Sequence, residues 1–330
     1  MPRTWSGFGV GVAVATAVVL VAGCAGAPSV GVSPTDSSKA GEPSYSPAAA
    51  SISALAGGQM IVLAEGSDGI AGLWALDANS VWTQLGTTPG ATALGPTPDG
   101  IALASGSSVE VRPTSALGIA GQTKTLNWPG AVPTAPIVAL DSSPGGKMAI
   151  VTADAQNLAY AVAAPDGTVT AMSPAPDQSF TPSAAWLDDS RLLVLSTDKA
   201  QVSRLAVADT GARTLLSAGS VLGVRIMGVS GDHQTVCLAT ESAVYVGSVD
   251  SLFGSQPASP ALTLAESQIV WGLALDSNGS HLFMFSGVSD SDGKVTAVKE
   301  LGYARQGSAW VQVVNTAVPF GRTIGQVFLG

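Results

Sequence analysis

His233 and His281 are the only histidines in the chain, and they are the first residues to ask what chemistry is possible. Both fall beside turns that hold equivalent places in neighbouring sequence repeats. Two imidazoles at one end of a fold could bind a metal or move a proton. No third ligand is placed by spacing, and Gln59, Lys147 and Arg191 fill the same slot in other repeats. Polar turn residues are therefore the simpler expectation. Asp188 and Asp189 are adjacent carboxylates in another such turn. Neighbouring residues point in different directions, so they make a poor acid–base dyad. Asp290-Ser291-Asp292-Gly293 has half the spacing of a calcium loop. Val288 stands where a further Asp is needed and no Glu closes the loop, so a hairpin turn is expected. Cys237, in Thr235-Val236-Cys237-Leu238-Ala239, reads as a small buried strand residue rather than a reactive thiol. No Gly-x-Ser-x-Gly elbow, phosphate-binding Gly-Lys-Ser/Thr loop or Cys-x-x-Cys pair occurs. No catalytic residue, cofactor site or metal site is expected, and a non-enzymatic role is favoured over an enzymatic one.

The elements that would position these residues are limited by composition. The chain has 330 residues, 46% apolar and only 11% charged. That share of charge is under half the usual one and excludes a disordered protein. With 14 Lys+Arg against 23 Asp+Glu, the field repels phosphates, so nucleic acid is excluded as a partner. No apolar stripe of helical period persists beyond a turn. Seventeen of the 23 acids are Asp, which favours turns, and six are Glu, which favours helices.

Internal periodicity dominates from residue 51 onward. A turn of Asp, Gly, Ser, Asn or Pro recurs, followed by an apolar run. Examples are Thr97-Pro98-Asp99-Gly100 before Ile101-Ala102-Leu103-Ala104, and Ser143-Pro144-Gly145-Gly146 before Met148-Ala149-Ile150-Val151. The last turn residues are 58, 100, 146, 190, 233 and 280, at intervals of 42, 46, 44, 43 and 47. Periods of 40–50 with strand-like content are those of β-propeller blades. Each apolar run suits a strand covered on both faces. Alternating segments such as Val109-Glu110-Val111-Arg112 and Val295-Thr296-Ala297-Val298-Lys299 suit the next strand outward. A second turn, as in Pro165-Asp166-Gly167 or Asp209-Thr210-Gly211, precedes a short outer strand such as Thr168–Met172. An all-β propeller over 51–330 is expected, with six four-stranded blades. Seven is the alternative, because the outer units are the least regular. Gln326-Val327-Phe328-Leu329 is expected to pair with the first blade and close the ring, removing exposed sheet edges. Trp74, Trp82, Trp128, Trp186, Trp271 and Trp310 spread over the repeats, which suggests packing between blades. Carbohydrate stacking by one or two on the rim is the alternative. Asn278-Gly279-Ser280 matches a glycosylation sequon but sits in a turn.

The first fifty residues follow another logic. Arg3 gives a short positive start, and Phe8 to Val21 is an uncharged apolar run with Thr16 its one polar residue. It ends in Leu20-Val21-Ala22-Gly23-Cys24. This pattern resembles the bacterial lipobox, with Val21 where Leu is commonest. The resemblance implies cleavage after Gly23 and a diacylglycerol on Cys24, so that residues 1–23 are a signal peptide. Acyl chains at ~0.8 kcal/mol per buried CH₂ hold a protein on a membrane durably. The competing reading is an uncleaved anchor, since Gly7 to Cys24 is 18 residues. An acylated Cys24 leaves Cys237 without an intramolecular partner, so no structural disulfide is expected. Between 25 and 50, Ala, Ser, Pro and Gly fill 19 of 26 positions. Together with Cys24, this reads as a disordered tether, with a coil span of roughly 28 Å.

The turns at Thr97–Gly100 and Ser143–Gly146 resemble the Ser-Pro-Asp-Gly turns of TolB-like and WD-like bacterial propellers. With the lipobox and tether, the chain is similar to propeller lipoproteins of high-GC Gram-positive, actinobacterial-type bacteria. The resemblance implies a lipoprotein on the extracytoplasmic face of the cell membrane. It is specific for fold and silent on activity, since propellers host many functions. The expected function is a monomeric scaffold whose propeller binds a protein, polymer or other ligand of the cell envelope. The membrane is a partner through the lipid on Cys24. The alternatives are an extracellular lactonase- or hydrolase-like propeller enzyme, and a ligand-sensing module for a transporter or kinase.

Overall fold

The computed structural model describes residues 60–330 apart from 67, 77–79, 99, 114, 116, 118–120, 154–157, 173–178, 198–202, 212–213, 254–257, 290–294, 322, 325–327 and 330. The chain divides after Pro47, and everything described belongs to the unit Ala48–Gly330. The signal peptide, Cys24, the tether, Gln59 and the Asp290–Gly293 turn lie outside the described residues.

Among the described residues, twenty-four strands form six antiparallel, four-stranded sheets. Blade 1 holds β1 (Met60–Glu65), β2 (Ala71–Leu76), β3 (Trp82–Thr87) and β24 (Phe328–Leu329). Blade 2 is β4 (Ala91–Thr97), β5 (Gly100–Ser105), β6 (Ser108–Pro113) and β7 (Gln122–Lys124). Blade 3 is β8 (Ile137–Ser142), β9 (Met148–Ala153), β10 (Leu158–Ala163) and β11 (Val169–Met172). Blade 4 is β12 (Ser179–Trp186), β13 (Arg191–Thr197), β14 (Ser203–Asp209) and β15 (Thr214–Leu222). Blade 5 is β16 (Ile226–Val229), β17 (Thr235–Ala239), β18 (Ala243–Ser248) and β19 (Leu262–Thr263). Blade 6 is β20 (Gln268–Leu275), β21 (His281–Ser289), β22 (Val295–Gln306) and β23 (Ala309–Ala317). The molecule is a six-bladed β-propeller.

β4, β8, β12, β16, β20 and β24 meet in turn around the centre, so they are the innermost strands. The recurrent turns of the sequence, where described, join each innermost strand to the second strand of its blade. The second strands carry the apolar runs: β1, β5 and β9 are buried over their first five residues. Neighbouring sheets cover both their faces, which is why they do not alternate. The outer strand β7 is largely exposed.

Blades share cores rather than owning them. Each of the six junctions has one apolar cluster built from two neighbouring blades. Trp186 is buried between blades 3 and 4, and Trp74 and Trp82 lie between blades 6 and 1. Trp82 meets Phe320 edge-on at 5.1 Å and Phe285 at 5.8 Å. Trp128 and Trp310 are half-buried against two further junctions. The innermost strands approach closely where a side chain is missing. A Cβ on Gly95 would lie 2.5 Å from the Leu140 carbonyl oxygen.

Closure is made from the far end of the chain. β24 pairs with β1 as Met60↔Leu329 and Ile61↔Phe328. The preceding segment follows the same edge, with Ile324 N–H donating to Leu63 O and Gly321 N–H to Glu65 O, both at 2.7 Å. A five-residue helix, α1 (Val249–Phe253), stands between β18 and β19. Ser248 Oγ accepts the Ser251 N–H at its start, and Leu252 plugs the blade 4–5 core.

Candidate functional site

The turns after β4, β8, β12, β16 and β20 gather at one end of the central channel. They and the strand ends beside them enclose a cavity of about 340 Å³, to which blades 2 to 6 all contribute. Pro98, Pro144 and Gly231 on its rim are exposed, so it reaches the surface. Its walls are mostly apolar: Pro96, Trp186, Met227, Leu273 and Leu275. Asp141, Ser230 and His233 are among its polar groups, and among the described residues no Lys or Arg lines it.

Trp186 organises this mouth. Its backbone N–H donates to Asp141 Oδ2 at 2.7 Å, and its indole Nε1–H donates to the Asp141 carbonyl at 3.2 Å. Its own carbonyl meets His233 Nδ1 at 2.7 Å. One residue of blade 4 thus ties an acid of blade 3 to an imidazole of blade 5. Burial pushes the Asp141 carboxyl up to about 7, against the N–H groups of Trp186 and Ser142, which favour its charged form. A carbonyl only accepts, so His233 Nδ1 carries the proton and neutral His233 keeps its lone pair on Nε2. No described residue takes that atom.

His233 is also unusual in its backbone. Its φ is +60°, and the one other described non-glycine residue with positive φ is Ser80. In blade 5, His233 N–H donates to Ser230 O while Ser230 N–H donates to Thr235 O. Blade 6 repeats this turn with Gly279 to Asp276 and Asp276 to His281. His233 therefore stands where blade 6 has Gly279, at φ +70°, and where blade 3 has Gly146, at φ +77°. The two turns are equivalent, as expected, but the histidines hold different places in them: His281 matches Thr235. His281 Nδ1 is held 2.7 Å from Asp276 Oδ2 within its own hairpin. Partial burial works against a charged Asp276, but His281 and Ser280 outweigh it, and the carboxyl is held below its ordinary range. Among the described residues, no three His, Cys, Asp or Glu gather to hold a metal.

Asp188 and Asp189 do point apart. Asp188 accepts from Ser190 and Arg191 in its own turn, at 2.6–2.8 Å. Asp189 reaches back to blade 3, accepting from Ser143 Oγ and Gly145 N–H, both at 2.6 Å. Cys237 is buried in β17, its Sγ–H directed to Gly228 O, and burial pushes the thiol up to about 12. Asn278 caps its turn, its Oδ1 accepting the Ser280 N–H. Sequence reasoning missed Asp141 and Trp186. The available signal was a lone acid closing the apolar run Val138-Ala139-Leu140.

No protein-family model matches the chain, and neither does any curated protein sequence. Solved structures are similar in fold. The putative TolB of Agrobacterium tumefaciens superposes with a TM-score of 0.56 at 13% identity, covering 81% of this chain and 91% of that one. TolB from Acinetobacter baumannii gives 0.55 at 14%, covering 82% and 66%. A β-propeller domain from Myceliophteria thermophila gives 0.51 at 11%, covering 82% and 89%. At such identities the likeness is one of fold.

Proposed function

We propose that this propeller is a binding scaffold of the cell envelope, displayed on the extracytoplasmic face of the membrane by a lipid on Cys24. One observation carries the binding role. Five blades converge on a single surface cavity with apolar walls and few polar groups, which is the usual make-up of a recognition site. The anchor rests on the lipobox-like Leu20–Cys24 segment. Capture from crosslinked envelopes should recover a specific partner, and recovering none counts against the scaffold. Replacing Cys24→Ala should release the protein from membranes; a variant still membrane-bound would remove the anchor from the reading.

The second reading, an extracellular hydrolase, is favoured by the shared cavity of Asp141 and His233. A carboxyl that burial pushes up to about 7, in one cavity with a fixed imidazole, suits proton transfer. A panel of lactones and glycosides tests it, and absence of turnover on the whole panel would discard it.

A further inference from the structure

We infer that the funnel mouth receives a cationic alkyl amine or guanidine, held between His233 and Asp141. This rests on the cavity being the recognition face, and it adds the chemistry of what enters. The polar groups facing the cavity are set to accept. His233 Nδ1–H is committed to the Trp186 carbonyl, which leaves the Nε2 lone pair. Among the described residues, Asp141 is the one carboxylate lining the cavity, and no basic residue there competes for it. The charged groups on the turns packed around Asp141 are already engaged. Lys147 Nζ donates to the Asp189 carbonyl, and Arg191 Nε to Asp188. Pro96, Met227 and Leu273 offer apolar wall to an alkyl stem. The net charge of −9 favours approach of a cation.

The backbone supplies a separate argument. The turn of blade 5 has the same hydrogen-bond pattern as that of blade 6, where the left-handed position is glycine. Glycine takes that conformation without strain, whereas histidine does not. An imidazole whose Nδ1–H reaches the Trp186 carbonyl thus occupies a position that the equivalent turn fills with glycine.

A cation beside Asp141 stabilises the carboxylate, so binding expels a proton. With the acid titrating near 7, its ionised fraction rises from about a tenth at pH 6 to about nine tenths at pH 8. Affinity should rise about tenfold over that span. The test is calorimetric titration of the full-length protein in detergent. The ligands are 1,5-diaminopentane, N-acetyl-lysine amide and, as an uncharged control, 1-pentanol. Both amines should bind and pentanol should not. His233→Gly should weaken amine binding at least about tenfold while leaving the melting temperature unchanged. Asp141→Asn should flatten the rise with pH. Tighter binding of the lysine amide would identify a protein side chain as the occupant, and tighter binding of the diamine a free polyamine; either supports the inference. Silence from both amines, equal binding of pentanol, or wild-type affinity in His233→Gly would overturn it. Envelope capture separates the two levels of reading. A partner recovered undiminished by His233→Gly sinks the cationic occupant and leaves the scaffold standing.

Discussion

His233 keeps a left-handed backbone at a cost of about 1 kcal/mol that Gly279 and Gly146 avoid. Its Nδ1–H bond to Trp186 returns about 1 kcal/mol. His233→Gly should therefore change the unfolding free energy from urea titration by less than about 0.5 kcal/mol in either direction. A loss above about 2 kcal/mol would show that the imidazole is a structural brace. Cys237 is the other residue with a sharp expectation. Its thiol is buried and pushed up to about 12, so an aromatic disulfide reagent should leave it unlabelled in the native fold. Labelling at the rate of a free thiol under native conditions would contradict its burial. Its inertness was legible in the surrounding Thr-Val-Cys-Leu-Ala run, which has no charged neighbour to ionise it. The Asp141–Trp186–His233 arrangement was not. Those residues lie 45 and 47 positions apart, and local periodicity carries no signal for pairs made across a blade junction.

At the level of elements, the junction between β22 and β3 carries a second acid. Glu300 is fully buried, and its Oε2 accepts Trp82 Nε1–H at 3.0 Å. Among the described residues nothing takes Oε1. Burial pushes this carboxyl from 4.5 up to about 7, and the Trp82 N–H only partly offsets it. The folded state therefore holds the proton more tightly than the unfolded chain. Its contribution is full below about pH 4.5 and drains away as the pH rises through 7. The loss is at most about 3 kcal/mol. Asp141 acts in the same direction over a window from 3.8 to about 7. Urea midpoints should thus be higher at pH 5 than at pH 8, and Glu300→Gln should flatten that slope. A variant with the wild-type slope would show that Glu300 is not its source. Gly95 tests how β4 meets β8. The Cβ of Gly95→Ala would strike the backbone oxygen of Leu140, and a loss of about 2–3 kcal/mol is expected in thermal melts. The strands themselves were readable because the runs before 104, 151 and 239 are buried on both faces. The Glu300–Trp82 contact, 218 residues apart, was not.

The whole molecule depends on the seam where its two most distant strands meet. Deleting residues 321–330 strips β1 of its inner partner and exposes an apolar edge. The truncated chain should elute as aggregate on size-exclusion chromatography, whereas a monomeric, cooperatively melting truncation would show that closure is dispensable. Six repeats and a closing strand were readable from the turn spacing and from the apolar Val327-Phe328-Leu329. That the C-terminal strand takes the innermost place in blade 1 was not, because a repeat count says nothing of which strand is inner. This arrangement also bears on timing. Ile61 finds Phe328 across 267 intervening steps of chain, so the first sheet cannot be finished by any nascent fragment. Maturation has to wait for nearly the full polypeptide. Until then the incomplete product keeps one ladder unsatisfied, a template for mispairing and a target for proteases and chaperones alike.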